Sequence, residues 1–240
     1  IINMNNHFTI VINACEQQDW IKKCIESCAT QDYENFEVIM VDALSTDDTY
    51  EIAKELEKNY KNFKVYQNEK RVPQIANILF LTQSSKDNSI IVTVDGDDYL
   101  KNNQVLNKLN DIYNSGDVWM TYGNFENYNG QKPTWVYKYP DFIIENNLFR
   151  QYDWLGTHLR TYKKELFMKI DISDFKRDGE WMYTTGDQAF MIPMLEMAGK
   201  KSVFIDEPLY VYNDMLESND SNQNRQKQIE MANYIRKYKK

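Results

Sequence analysis

The stretch Ile90-Ile91-Val92-Thr93-Val94-Asp95-Gly96-Asp97-Asp98 joins a short apolar, β-branched run to a tip that carries three carboxylates. Five such residues without polar alternation are the pattern of a strand covered on both faces, which is the condition of strands inside a parallel sheet. Ligands of open parallel sheets sit beyond the carboxyl ends of the strands, so an acidic tip there stands where chemistry is expected. With the backbone extended through the tip, Asp95 and Asp97 point to one side and Gly96 lets the backbone approach a ligand closely. Two hard oxygen donors on one side suit Mg²⁺ or Mn²⁺ held together with phosphates. The same residues also fit an acidic turn in which Asp98 caps a helix beginning near Asn102, since Asp-Gly pairs are frequent in turns.

Outward from this run, further strands are expected at 8–13, 36–42, 63–67 and 118–122, with the acidic strand itself at 89–95. Between them Ile21, Cys24, Ile25 and Cys28 recur at helical spacing, as do Ile52, Ala53 and Leu56, Ile75 and Leu79, and Val105, Leu106 and Leu109. Alternating strands and helices predict an α/β fold with a mostly parallel central sheet flanked by helices. After residue 122 the repeat breaks and aromatic residues crowd 135–154. A strand is expected near 158–162, a helix at 187–198, a strand pair at 203–205 and 209–212, and a last helix after Asn224. The organisation predicted is a ligand-binding α/β half, 1–122, and a smaller mixed half, 123–240, of the same domain.

The bulk composition narrows the function. A chain of 240 residues with 42% apolar and 27% charged residues can bury a full core. A net charge of −8 speaks against a surface built to neutralise nucleic-acid phosphates. The basic cluster is terminal: Arg236, Lys237, Lys239 and Lys240 close an amphipathic helix, which reads as a solvated helix end or a peripheral contact to an anionic membrane. No signal peptide is visible and the apolar runs are too short to span a bilayer, so a cytoplasmic location, with membrane-surface contact open, is the expectation. Three cysteines do not suggest a disulfide framework, and Cys24 and Cys28, one helical turn apart without a second Cys or His pair, read as buried thiols rather than metal ligands.

The acidic tip has company. Phe8-Thr9-Ile10-Val11-Ile12-Asn13, the helix ending Cys24-Ile25-Glu26-Ser27-Cys28, the segment from Gln31 to Asp42, Ser45-Thr46-Asp47-Asp48-Thr49 and Val94-Asp95-Gly96-Asp97-Asp98-Tyr99-Leu100 resemble, in order and spacing, family 2 glycosyltransferases. The resemblance is clear over 8–100 and reappears near 185–199. It implies a Rossmann-like GT-A fold whose second half is the acceptor side, and an NDP-sugar donor, usually UDP-linked. It also implies inverting transfer to a hydroxyl of a glycan or other glycoconjugate. A diphosphate leaving group calls for a divalent cation to neutralise its charge as the sugar bond breaks.

Carried over residue by residue, the resemblance gives Asp95 and Asp97 as metal ligands, with Asp95 and Gly96 also at the donor. Asp42 resembles the base-recognising aspartate, although Ala43 and Leu44 stand where the family has an Asp and a Gly. Arg71, six residues before Asn77, resembles a donor-contacting arginine; a surface arginine is the other reading. Asn13 and Ala14 replace the family's Pro and Thr and imply backbone contact to the base. Asp187, after Gly186 in the place of the first member of an acidic pair, resembles the catalytic base that removes the acceptor proton. It also fits a simple N-cap. His158 fits an acceptor contact, a third metal ligand or a structural histidine. Trp154 and Trp181, with Tyr183, fit either a sugar platform or core.

Two other classes remain in view. A nucleotidyltransferase shares such a sheet but needs a Gly-rich, basic phosphate loop after the first strand, and Ala14-Cys15-Glu16-Gln17-Gln18 contains neither Gly nor Lys. A non-catalytic module would use the acidic turn only to bind a cation or a sugar.

Overall fold

The computed structural model describes residues 5–215 and 225–237. The first half alternates as its periodicity demands: β1 (Phe8–Ala14), α1 (Ile21–Ala29), β2 (Phe36–Asp42), α2 (Thr49–Asn59), β3 (Phe63–Gln67), α3 (Gln74–Ser84) and β4 (Ile90–Asp95). Then come β5 (Tyr99–Leu100), α4 (Val105–Asn114), β6 (Met120–Gly123), β7 (Glu126–Asn127) and α5 (Asp141–Glu145). The remainder is β8 (Arg160–Lys163), α6 (Lys164–Phe167), β9 (Lys176–Arg177), β10 (Glu180–Trp181), α7 (Gly186–Ala198), β11 (Ser202–Ile205), β12 (Tyr210–Tyr212) and α8 (Arg225–Lys237).

Among the described residues, seven strands form the central sheet in the order β11-β6-β8-β4-β1-β2-β3. β1 runs parallel to β2 and β4, β2 to β3 and β6 to β11, whereas β8 is antiparallel to both β4 and β6. The strands are apolar because both faces are covered. Ile10, Ile12, Val92 and Val94 pack with α1, α2 and α4 on one side; Val11, Val41 and Ile91 pack with α3 and α7 on the other. Each such side chain, fully buried, contributes about 1.5–3 kcal/mol.

The register sets the site. Ala14 pairs with Asp42, and Asn13 with Asp95, so three strand ends share one edge. Because β8 runs the other way, its first residue, Arg160, pairs with Thr93 and delivers the preceding segment to that same edge.

One expectation changes. The strands at 202–205 and 210–212 both form but do not pair: β11 extends the main sheet, while β12 lies between β5 and β7 in a separate three-stranded sheet. The boundary at 122 falls inside β6, and β8 and β11 from the second half complete the sheet of the first. The C-terminal part of the last helix packs on the protein: Ile235 is buried in the core and Arg236 donates to the Tyr152 carbonyl at 2.7 Å, while Ile229 is exposed and Lys239 and Lys240 lie outside the described residues. No helix of the described residues is long and apolar enough to cross a membrane.

Candidate active site

Beyond the carboxyl edge lies a cavity of about 670 Å³. β1 brings Asn13 to it, the β4 tip brings Asp95, Gly96, Asp97 and Asp98, and the segment leading into β8 brings Trp154 and His158. The start of α7 brings Asp187, and α8 closes one side with Arg225, Gln228 and Ile229.

The tip leaves the extended conformation after Asp95, and the close approach that Gly96 allows is to protein. A Cβ on Gly96 would stand 2.5 Å from the Ala14 Cβ, and its N–H donates to the Asn13 carbonyl at 3.0 Å. Ala14 is therefore packed beneath the tip and does not line the cavity. Asp98 is not a helix cap. It is 1% exposed and accepts hydrogen bonds from the Tyr210 hydroxyl at 2.6 Å and the Asn213 N–H at 2.7 Å. The Tyr210 hydroxyl in turn accepts from the Asp95 N–H at 3.1 Å, so one tyrosine from β12 braces both sides of the turn.

These acids resist ionisation. Burial, then the neighbouring Asp95, pushes Asp97 up to about 6. Burial raises Asp95, which Arg160 opposes and Asp187 reinforces. Burial and the charges of Asp97 and Asp95 hold Asp98 well above the usual carboxylate range. Asp95 keeps one neutral partner, Gln74, whose side-chain nitrogen donates to it at 2.6 Å.

Asp95, Asp98 and His158 each place a donor atom within 4.8 Å of the others. A cluster of carboxylates that desolvation keeps from ionising is one that a hard divalent cation relieves, and oxygen donors are the ligands that Mg²⁺ and Mn²⁺ prefer. The carboxylates present fit such an ion. His158 is buried and held neutral, burial and then Arg160 pushing its pKa well below 6.5; it stacks on Tyr210 at 4.4 Å between ring centres. Its Nδ1 is buried without a hydrogen-bond partner, while its Nε2 lies 3.3 Å from a nitrogen of Arg160.

Asp187 sits in the first turn of α7, two residues after the N-cap position, which Thr185 holds with φ 61°. Its carboxylate accepts from Arg160 at 3.0 Å and from the Gln188 N–H at 2.8 Å. Gly186, where the family resemblance has an acid, has Ile75 3.3 Å from the place of a Cβ, so a side chain there would press on α3.

Of the other expected residues, Asp42, Arg71 and Trp181 do not line the cavity. Asp42 is fully buried and accepts from the Ser45 N–H at 3.0 Å and from the Gln67 side chain at 3.1 Å. Leu44, in the position where a glycine was expected, takes φ 64°. Arg71 is ion-paired with Glu16, whose carboxylate also accepts from the Thr46 N–H. Trp181 packs against the core with the Lys176 amine 4.9 Å from its ring centre. Tyr183 lines the cavity at its exposed rim.

Sequence reasoning passed over Arg160, Gln74, Tyr210 and the inner face of α8. Arg160 did leave a signal: an arginine opening a strand destined for burial must find a carboxylate partner.

A mostly parallel sheet with one antiparallel insertion, an acidic tip on its central strand and an aspartate opening a helix across the cavity together make up the GT-A architecture. Within that class the chain belongs to glycosyl transferase family 2, whose family model matches residues 9–171. It is 43% identical over 70 residues to a dolichyl N-acetyl-alpha-D-glucosaminyl phosphate 3-beta-D-2,3-diacetamido-2,3-dideoxy-beta-D-glucuronosyltransferase of Methanococcus voltae, a stretch covering 28% of this chain and 22% of that one. It is 25% identical over 226 residues to the glycosyltransferase GlyG of Streptococcus pneumoniae, covering 87% of this chain and 71% of GlyG. Among solved structures, S. aureus TarS 1–349 in complex with UDP-GlcNAc superposes with a TM-score of 0.68 at 19% identity, covering 88% of this chain and 59% of that one. The mannosyltransferase PcManGT of Pyrobaculum calidifontis, in complex with GDP-Man and Mn²⁺, gives 0.68 at 14% identity, covering 98% and 65%. The chain thus spans less than two thirds of either structural relative.

Proposed function

We propose that this chain transfers a sugar from a nucleotide diphosphate, in the first place a UDP-sugar, to an acceptor hydroxyl with inversion, using Mn²⁺ or Mg²⁺. The observation that carries this reading is the placement of the acidic tip and Asp187 on one cavity, the tip able to hold a cation and Asp187 able to take a proton. Asp95 and Asp97, which both line the cavity, would hold the cation, and Tyr210 fixes the turn through Asp98. When bound there, the cation would supply charge neutralisation for the departing diphosphate. Asn13, whose side-chain oxygen is held by Asn77 at 2.7 Å, presents the β1 edge to the nucleoside. Asp187 accepts the proton of the acceptor hydroxyl as that oxygen attacks the anomeric carbon, and the carbon–oxygen bond to the diphosphate breaks on the opposite side.

The bound ligands of TarS and PcManGT support a nucleotide-sugar donor, and Mn²⁺ in the latter supports the cation. The nucleotidyl-transfer reading has no counterpart in the family match.

The test is Asp187→Asn. Transfer should fall about 10²–10⁴-fold, the usual contribution of a general base, while Mn²⁺-dependent UDP binding by calorimetry stays. Undiminished turnover would remove Asp187 from the chemistry.

A further inference from the structure

Arg160 is 8% exposed and reaches three groups at once. Its Nε donates to the Gly156 carbonyl at 3.1 Å, and one terminal nitrogen meets both His158 Nε2 at 3.3 Å and Asp187 Oδ2 at 3.0 Å. A guanidinium has only donors to offer. The Nε2 it faces must therefore present a lone pair, and in a neutral imidazole the ring proton then sits on Nδ1.

We propose that Arg160 is the positioning residue of this site, holding Asp187 in place and engaging the Nε2 lone pair of His158, so that the ring proton stays on Nδ1 and the imidazole is not a metal ligand. This rests on the reading of Asp187 as base given above. Four carboxylates line the cavity, Asp95, Asp97, Asp98 and Asp187, and among the described residues the lining has two cations, Arg160 and Arg225. Arg225 is exposed at the start of α8, whereas Arg160 is buried between the acidic tip and α7. Its charge acts on Asp187, which it bonds, and on Asp95 of the tip. It also fixes Asp187 from the side: the carboxylate is held by β8 through Arg160 and by its own helix through the Gln188 N–H. Lysine in this place offers a single point of charge and cannot reach the carbonyl, the imidazole and the carboxylate together.

The experiment compares Arg160→Lys, Arg160→Gln, His158→Gln and Asp187→Asn in the full chain. Displacing a catalytic group costs on the order of 10²-fold, so Arg160→Gln and Arg160→Lys should both lower kcat by about that factor while the calorimetric Kd for Mn²⁺ with UDP moves less than about threefold. His158→Gln should likewise leave that Kd unchanged. In the metal-free chain, nitrogen-15 NMR, with the His158 signal identified by loss in His158→Gln, should show the Nδ1–H tautomer in the wild type and lose that preference in Arg160→Gln. Millimolar guanidinium should restore part of the Arg160→Gln turnover. The assignment is overturned if either Arg160 variant turns over within threefold of wild type, if His158→Gln abolishes Mn²⁺-dependent UDP binding, or if the wild-type ring is protonated at Nε2. Loss of turnover in Asp187→Asn together with full turnover in Arg160→Gln would sink this inference alone. Full turnover in Asp187→Asn would sink the underlying reading with it.

Discussion

The two edges of the central sheet treat polar groups in opposite ways. At the amino edge, Thr9 donates to Glu37 at 2.9 Å and shares a hydrogen bond with Ser89 at 2.8 Å. Ser89 meets His7 Nδ1 at 2.9 Å, and the Lys86 N–H closes on Glu37 at 3.3 Å. Each group there is satisfied by another. At the carboxyl edge Asp95, Asp97 and Asp98 crowd together, all pushed toward the protonated form, and Glu16, Leu44 and Thr185 take left-handed backbone that costs about 1–2 kcal/mol for a residue with a Cβ. The same strands carry both edges, so the difference is not one of secondary structure. A network closed on itself serves stability; carboxylates crowded on a cavity and pushed toward the protonated form mark the edge where a ligand is to supply a further partner.

Four substitutions probe this contrast. Gly96→Ala should do the most damage, because its methyl meets the Ala14 Cβ at the base of the tip. We expect a loss of about 2–3 kcal/mol in denaturant unfolding, as for overpacked cores, together with loss of activity. Thr9→Val at the closed edge should cost about 1–2 kcal/mol through the two hydrogen bonds lost to Ser89 and Glu37, with kcat unchanged; an equal fall in kcat would mean that the two edges are not separable. Asp97→Asn should move stability the other way. Removing one of three crowded carboxylates should stabilise the metal-free protein by about 1 kcal/mol at pH 7, with solvent screening discounted, and thermal scans should lose the shift given by Mn²⁺ with UDP. A destabilised Asp97→Asn would show the tip to be structural.

The smallest effect concerns pH. Burial lowers the His7 pKa below 6.5, so the unfolded chain binds a proton more readily than the folded one. Stability from this group is complete above pH 6.5 and declines as pH falls below it, and His7→Gln should flatten that slope in urea titrations. The acidic tip has the opposite sign, since raised carboxyl pKa values favour the fold at low pH. A wild-type profile with no slope change in His7→Gln would remove His7 from the balance.

Much of the first half was legible from residue patterns. The apolar runs of β1, β2 and β4 and the helical spacing of Ile21, Cys24, Ile25 and Cys28 express burial that is local in sequence, and all of them appear in the core. Asp42 and Asp95 looked alike at that level, each a carboxylate ending a strand beside β1. Packing separates them: Ser45 and Gln67 seal the first, whereas the second opens on the cavity.

The sequence by itself determined an α/β chain with a parallel sheet, an acidic tip on its fourth strand and an aspartate opening a late helix, because strand and helix periodicity and turn chemistry are read over a few neighbouring residues. Only the tertiary structure decided that β8 runs antiparallel beside β4, that Tyr210 and Asn213 brace Asp98 from more than a hundred residues away, that Arg160 stands between His158 and Asp187, and that α8 closes the cavity. Those relations join segments with no shared period. They are set by which surfaces bury one another once the sheet has formed, and no short window of residues carries that information.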